Sequence, residues 1–248
     1  MLERWTHGSF TADGCTYPTY RRGTGPGVIV MTEIPGITPS VIAFADRVVA
    51  AGMTVVMPSL FGTPGKEPSA VSTAGVLAKL CVSKEFTALA LNKTPPIAVW
   101  LRALAASLHE ELGGPGVGAV GMCFTGGFAL TMMVEPHVVA PVLSQPASPL
   151  FIRGKAAGAD LNLSPADLAV VKARAAAGCE VLGLRYTGDK LVGTRFDTLR
   201  RELGDAFLAV ELESRQPRDH SVLTEQADQA SITRVVEFLR AKLHAVSV

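Results

Sequence analysis

No segment of this sequence approaches the roughly 20 uninterrupted apolar residues that a membrane-spanning helix needs, and residues 1–10 contain no apolar core of a secretory signal. Charge of one sign is lacking too. The formal net charge is +1 and the Lys and Arg residues are scattered, so there is no electrostatic footprint for nucleic acid or an anionic membrane. The four cysteines, Cys15, Cys81, Cys123 and Cys179, are far apart and form no Cys-x-x-Cys pair. That spacing excludes the usual zinc frameworks and a dense disulfide scaffold, and it points to a reducing cytoplasm. No repeat, charge block or low-complexity tract divides the chain. What is present is the composition of a globular protein: 248 residues, 48% apolar and 18% charged, enough to bury one large core. A single domain over residues 1–248 with a small-molecule partner is expected.

The apolar pattern alternates between strand and helix. A Gly-punctuated N-terminal stretch is compatible with a short antiparallel hairpin. Val28 to Met31 is a continuous run of the kind found in buried parallel strands. Residues from about Ser40 to Ala51 place Val41, Ala45, Val48 and Val49 at helical spacing, and Thr54 to Met57 is the next strand. Further helices are predicted at Pro96–Leu112, Thr125–Val134, Pro165–Ala177, Thr194–Leu203 and about Ser221–Ala245, with strands at Val117–Gly121, Val138–Leu143, Glu180–Tyr186 and Phe207–Leu212. This rhythm implies an α/β fold, a mostly parallel sheet with helices on both faces. Two segments interrupt it, Leu60–Pro95 and Ser144–Ser164. They are candidate pocket walls over the carboxyl ends of the strands, or solvated surface loops.

Candidate chemistry begins where the strand ending at Gly121 runs into Met122, Cys123, Phe124, Thr125, Gly126 and Gly127. Gly-x-nucleophile passing at once into a helix is the nucleophile elbow, a strained turn that demands small neighbours. The general pattern has glycine two places after the nucleophile, where Thr125 stands here. A thiol at a helix start also faces unpaired N–H groups that favour the nucleophilic thiolate. The competing reading of Cys123 is a buried structural cysteine.

Enzymes built on this turn carry the acid after one late strand and the histidine after the last. Asp189 follows the strand ending at Tyr186, and His220 follows the strand ending at Leu212, with Asp219 and Asp197 as alternative acids. Read singly, Asp189 is a turn residue and His220 a helix cap; their order and placement make them a candidate pair. His7, His109, His137 and His244 read as structural. Glu33, at the end of the first buried strand, needs a partner if it is buried, or it is an ordinary loop carboxylate. The backbone N–H groups of Ile34 and Phe124 are candidate donors for an oxyanion hole.

With Glu33, Cys123, Asp189 and His220 in this arrangement, the sequence resembles the dienelactone hydrolase family of the α/β-hydrolase superfamily. The likeness runs from about Val28 to the C-terminus and is most specific at residues 28–36, 121–127, 187–189 and 219–221. It implies an α/β-hydrolase fold in which Cys123 attacks a lactone or ester carbonyl to give an acyl-enzyme. It implies further that His220, oriented by Asp189, handles protons, and that the carboxylate at Glu33 hydrogen-bonds the resting thiol. Family members that hydrolyse dienelactones hold the substrate carboxylate with arginines, one of them four residues after the histidine, where this chain has Thr224. Lys84 and Arg185 are the candidate substitutes, unless Lys84 is solvated or Arg185 points to the other sheet face. The expectation is a cofactor-free, metal-free hydrolase of small esters or lactones. Its rivals are a catalytically idle ligand-binding relative on the same fold and a redox-sensing thiol at Cys123.

Overall fold

The short apolar runs of the sequence assemble into one eight-stranded sheet in a computed structural model that describes residues 1–69, 72–76, 93–147 and 158–244. The strands are β1 (Thr6–Ala12), β2 (Cys15–Arg22), β3 (Gly27–Met31), β4 (Thr54–Pro58), β5 (Val117–Met122), β6 (Val138–Ser144), β7 (Val181–Tyr186) and β8 (Phe207–Leu212). Their order across the sheet is β1-β2-β4-β3-β5-β6-β7-β8. The expected N-terminal hairpin is present: β1 pairs antiparallel with β2, and β2 antiparallel with β4. All other pairings are parallel. Helices α1 (Pro39–Ala50), α2 (Pro96–Leu112), α3 (Gly126–Met132), α4 (Pro165–Ala176), α5 (Arg195–Leu203) and α6 (Gln229–Leu243) cover the faces. This is the α/β-hydrolase architecture that the alternation predicts.

Period-two alternation decides which side chain meets which layer. Val28 and Val30 of β3 pack with Val41, Phe44 and Val48 of α1 and with Val235 and Leu239 of α6. Their neighbours Ile29 and Met31 point the other way, into a cluster with Trp100 and Leu101 of α2, Phe128 of α3, Val171 of α4 and Phe196 of α5. Each such fully buried large side chain contributes about 1.5–3 kcal/mol. Trp100 also anchors the hairpin, since its indole N–H donates to the Phe10 carbonyl at 3.2 Å and the rings of Phe10 and Tyr17 meet it edge-on. No described helix is long and apolar enough to cross a membrane.

The last helix begins later than its periodicity suggests. Residues 222–226 form turns, and α6 starts at Gln229 with Asp228 accepting from the Ser231 N–H at 2.8 Å. Polar side chains in that stretch are committed to tertiary partners described below, which competes with helix continuation.

Candidate active site

At the end of β5 the chain turns through Cys123 with φ +54°, in the left-handed region that costs a non-glycine residue about 1–2 kcal/mol. The turn is tight enough to specify its neighbours. A Cβ on Gly121 would lie 2.1 Å from the Thr125 carbonyl oxygen, and one on Gly126 would lie 2.8 Å from the Cα of Pro146. Thr125, which replaces the usual glycine, is fully buried and its hydroxyl is used. It accepts from the Met122 N–H at 2.9 Å and lies within donating distance of the Met31 carbonyl at 3.1 Å and the Met122 carbonyl at 3.0 Å. The hydroxyl therefore ties the elbow to the end of β3. Thr125→Val, which keeps the shape and removes the oxygen, is expected to destabilise by about 1–3 kcal/mol because it leaves the buried Met122 N–H without its acceptor. For a chain of this size each kcal/mol lowers the melting temperature by about 2–4 °C; Thr125→Ser should melt close to the parent.

Asp189 and His220 arrive from the loops after β7 and β8. Asp189 Oδ2 lies 2.6 Å from His220 Nδ1, and its Oδ1 accepts from the Leu191 N–H at 2.9 Å. Burial works against the charged imidazolium, yet the hydrogen bond to Asp189, the neighbouring Cys123 sulfur and the charges of both lift His220 from 6.5 to about 10. The opposite ring nitrogen, Nε2, is buried and has no hydrogen-bond partner among the described residues. The other candidate acids are elsewhere: Asp219 accepts from the backbone N–H groups of Arg215 and Gln216 at 2.7 and 2.9 Å, and Asp197 sits exposed on α5 beside Arg200. His7 lies against Tyr20, and His109 stacks on His137 at 4.0 Å.

Glu33 is 5% exposed and has the partners that burial demands. Its Oε1 accepts from the Thr224 hydroxyl, and its Oε2 from the Ser221 hydroxyl at 2.7 Å and the Gln145 amide at 3.2 Å. Burial raises its carboxyl above the ordinary value, while the Thr224 and Ser221 hydroxyls and the charge of His220 pull it back and Glu225 pushes it up. None of these bonds comes from Cys123, so the link to the resting thiol that the resemblance implies is not formed; Glu33 instead holds the turn that carries His220. Thr224, where an arginine was expected, has become one of its donors. The Ile34 N–H donates to no protein acceptor among the described residues. Phe124 packs against Phe61 and Phe128, with ring centroids 6.4 and 5.3 Å away.

The two candidate substrate-binding cations fare differently. Lys84 lies outside the described residues. Arg185 binds Glu211 through Nε at 2.9 Å and through a second nitrogen, donates to the Gly193 carbonyl at 3.2 Å, and lies 4.6 Å over the Phe196 ring. Its guanidinium is committed to β8 and α5. Arg195, which no sequence pattern singled out, is 2% exposed and donates to the Leu191 and Val192 carbonyls at 3.1 and 2.8 Å, bracing the Asp189 loop. Burial lowers it from 12.5 to about 10 against the opposing charges of Asp160 and Cys123. Sequence reading also missed Gln145 and Gln226. The latter's side-chain oxygen accepts from the N–H groups of His220 and Ser221 at 3.3 and 2.9 Å. A signal for Gln145 existed: polar residues closing a buried strand at its carboxyl end mark the binding edge of an open α/β sheet. Among the described residues no cluster of three or more His, Cys, Asp or Glu is arranged to hold a metal ion.

The sequence profile of the dienelactone hydrolase family matches residues 15–150, more than half of the chain. The chain belongs to the dienelactone hydrolase family. Membership makes ester hydrolysis of small molecules its class of chemistry, and the matched region contains Glu33 and Cys123 but ends before Asp189 and His220. Solved structures resemble this dienelactone hydrolase family member over nearly its whole length. A protein assigned as a dienelactone hydrolase from Klebsiella pneumoniae aligns with TM-score 0.65 and 16% identity, covering 98% of each chain. A dienelactone hydrolase-like promiscuous phosphotriesterase from metagenomic libraries gives 0.62 and 15%, covering 96% of this chain and 98% of its own. A cold-adapted esterase from an Arctic intertidal metagenomic library gives 0.58 and 16%, covering 96% and 93%. At these identities the likeness is one of fold. No curated protein matches the sequence.

Proposed function

We propose that this protein hydrolyses small carboxylic esters or lactones through an acyl-cysteine intermediate, with Cys123 as nucleophile, His220 as general acid and base, and Asp189 as the group that orients and charges His220. The observation that supports this reading best is the pair of His220 Nδ1 and the Asp189 carboxylate, 2.6 Å apart, together with a thiol on the left-handed turn at Cys123 that helps to raise His220. The family's chemistry supplies the reaction class.

As substrate binds, Cys123 passes its proton to His220. The thiolate attacks the substrate carbonyl carbon, and the carbonyl oxygen becomes an oxyanion beside the N–H groups of Ile34 and Phe124. Collapse of this adduct breaks the carbon–oxygen bond to the leaving group, which takes the proton from His220 Nε2. The thioester now holds no charge on sulfur, so the share of the His220 elevation that comes from Cys123 is gone and the imidazole is a competent base. Water attacks the thioester and gives a proton to His220; the carbon–sulfur bond breaks and His220 returns the proton to the sulfur. The net change is ester plus water to acid plus alcohol. Lactones follow the same path with acid and alcohol on one product. A reducing compartment such as the cytoplasm suits this thiol chemistry, and Cys15, Cys123 and Cys179 are all unbridged.

The test is to mix the protein with 4-nitrophenyl acetate and with a five-membered lactone, quench in acid, and map the acylated peptide by mass spectrometry. The expected result is a burst of product and an acyl group on Cys123. Acylation of another residue, or turnover with no acyl-enzyme under rapid quench, would overturn the acyl-cysteine scheme. Absence of turnover on every ester and lactone tried would remove the hydrolase reading.

A further inference from the structure

The side chain that closes β6, Gln145, is fully buried, and the acyl-transfer scheme above gives it no part. Its backbone has φ +35°, in the left-handed region that glutamine rarely occupies, and its N–H donates to the Leu184 carbonyl of β7 at 2.7 Å. Non-glycine residues are held in such conformations where the surroundings over-determine them, most often at functional sites.

Every polar atom of the Gln145 amide is engaged. Its nitrogen donates to Glu33 Oε2 at 3.2 Å, and its oxygen accepts from the Val222 N–H at 3.2 Å and from the Ser144 hydroxyl. These partners fix the orientation of the amide, because rotating it by half a turn would set its NH2 against the Val222 N–H and its oxygen against the Glu33 carboxylate. The same carboxylate oxygen accepts from Ser221, and the other from Thr224. Gln145 therefore grips the turn after His220 twice, directly at Val222 and through Glu33 at Ser221 and Thr224. The next residues of its own segment support the nucleophile: the Ala147 N–H donates to the Cys123 carbonyl at 3.0 Å, and Pro146 packs on Gly126. The elbow and the histidine turn are thus registered against one short segment at the end of β6.

We propose that Gln145 is a positioning residue, whose amide sets the distance between the His220 imidazole and the Cys123 thiol by clamping the His220 turn through Val222 and Glu33. This inference rests on the proposed roles of Cys123 and His220. Under it Glu33 serves the histidine turn in the resting enzyme rather than the thiol, and Ser221 and Thr224 belong to the same clamp. Removing the amide leaves the fold its apolar layers but frees the imidazole to drift, and a misplacement of about 1 Å at a reacting centre costs on the order of 10²-fold in rate.

The experiment compares the parent with Gln145→Met, Glu33→Gln and the double variant. It measures kcat and KM on 4-nitrophenyl acetate and the low-field NMR resonance of the proton between His220 Nδ1 and Asp189. Gln145→Met is expected to lower kcat by about 10–100-fold with KM within about twofold, and to shift or broaden that resonance. In the Glu33→Gln background the same change should cost much less, because both residues act through one clamp. Unchanged kcat and an unmoved resonance in a folded Gln145→Met protein would overturn the proposal, as would fully additive losses in the double variant. If Gln145→Met does not fold, Gln145→Glu replaces it: this variant keeps the acceptor for Val222 and loses the donor to Glu33, and the same two outcomes decide. Should the parent turn over no ester, the hydrolase reading fails on its own, while the response of the His220 resonance to Gln145→Met still decides whether the clamp exists.

Discussion

Cys123→Ala is expected to abolish the burst and to lower kcat on activated aryl esters by about 10⁶-fold, the scale on which removing the nucleophile of a comparable triad acts. Residual turnover of roughly 10³–10⁴ over water is still expected, from oxyanion donors and binding that the substitution leaves in place. Cys123→Ser should also lose most activity, since an alcohol surrenders its proton to an imidazole far less readily than a thiol does. The fold should survive both changes. Alanine and serine keep the left-handed strain at φ +54°, whereas Cys123→Gly should relieve it and melt slightly higher. A Cys123→Ala protein that kept a tenth of parental kcat would show that the nucleophile lies elsewhere, even with the elbow geometry intact.

Asp189→Asn is expected to cost about 10⁴-fold in kcat, by analogy with removing the charge but not the shape of a triad acid. The neutral amide cannot stabilise the imidazolium and does not enforce the tautomer with the proton on Nδ1. Stability should respond to pH in a matching way. In the folded protein His220 is raised from 6.5 to about 10, against the penalty of burial, through its bond to Asp189 and the neighbouring Cys123 sulfur. A group whose folded value is raised adds stability that is fully present below its unfolded value and is lost as pH rises through the folded one. The parent should therefore lose stability between about pH 6.5 and 10, and Asp189→Asn should flatten that fall. Denaturant midpoints measured across this range check the prediction; parallel curves for parent and variant would refute the assignment of the elevation to Asp189.

The elements most legible in the sequence were those set by local pattern. Continuous apolar runs gave β3 to β7, helical spacing gave α1 and α2, and the small residues at 121–127 marked a tight turn. The positions of Asp189 and His220 relative to the strands were equally readable, because chain order and sheet order run together from β5 to β8. What could not be read was any role that depends on a partner remote in sequence. Gln145 meets Glu33 and Val222 across 112 and 77 positions, and no spacing rule connects them. Thr125 looked like a flaw in a motif until its hydroxyl was seen joining β5 to β3. Arg185 looked available for an anion because its ion pair with Glu211 forms across neighbouring strands. The start of α6 was placed early for the same reason: Ser221 and Thr224 have helical neighbours in sequence, but Glu33 claims their hydroxyls. Periodicity reports the layers; the buried polar clamp is written only in three dimensions.

The order of the sheet also has a consequence for a chain emerging from the ribosome. Synthesis proceeds from the N-terminus, so β1 to β6 and the elbow at Cys123 are made first, while Asp189 and His220 come from loops after β7 and β8. A nascent chain that ends at Tyr186 holds the thiol but neither its acid nor its base. The growing polypeptide thus cannot acylate itself by the proposed route, which opens only when β7 and β8 have been added at the β6 edge of the sheet.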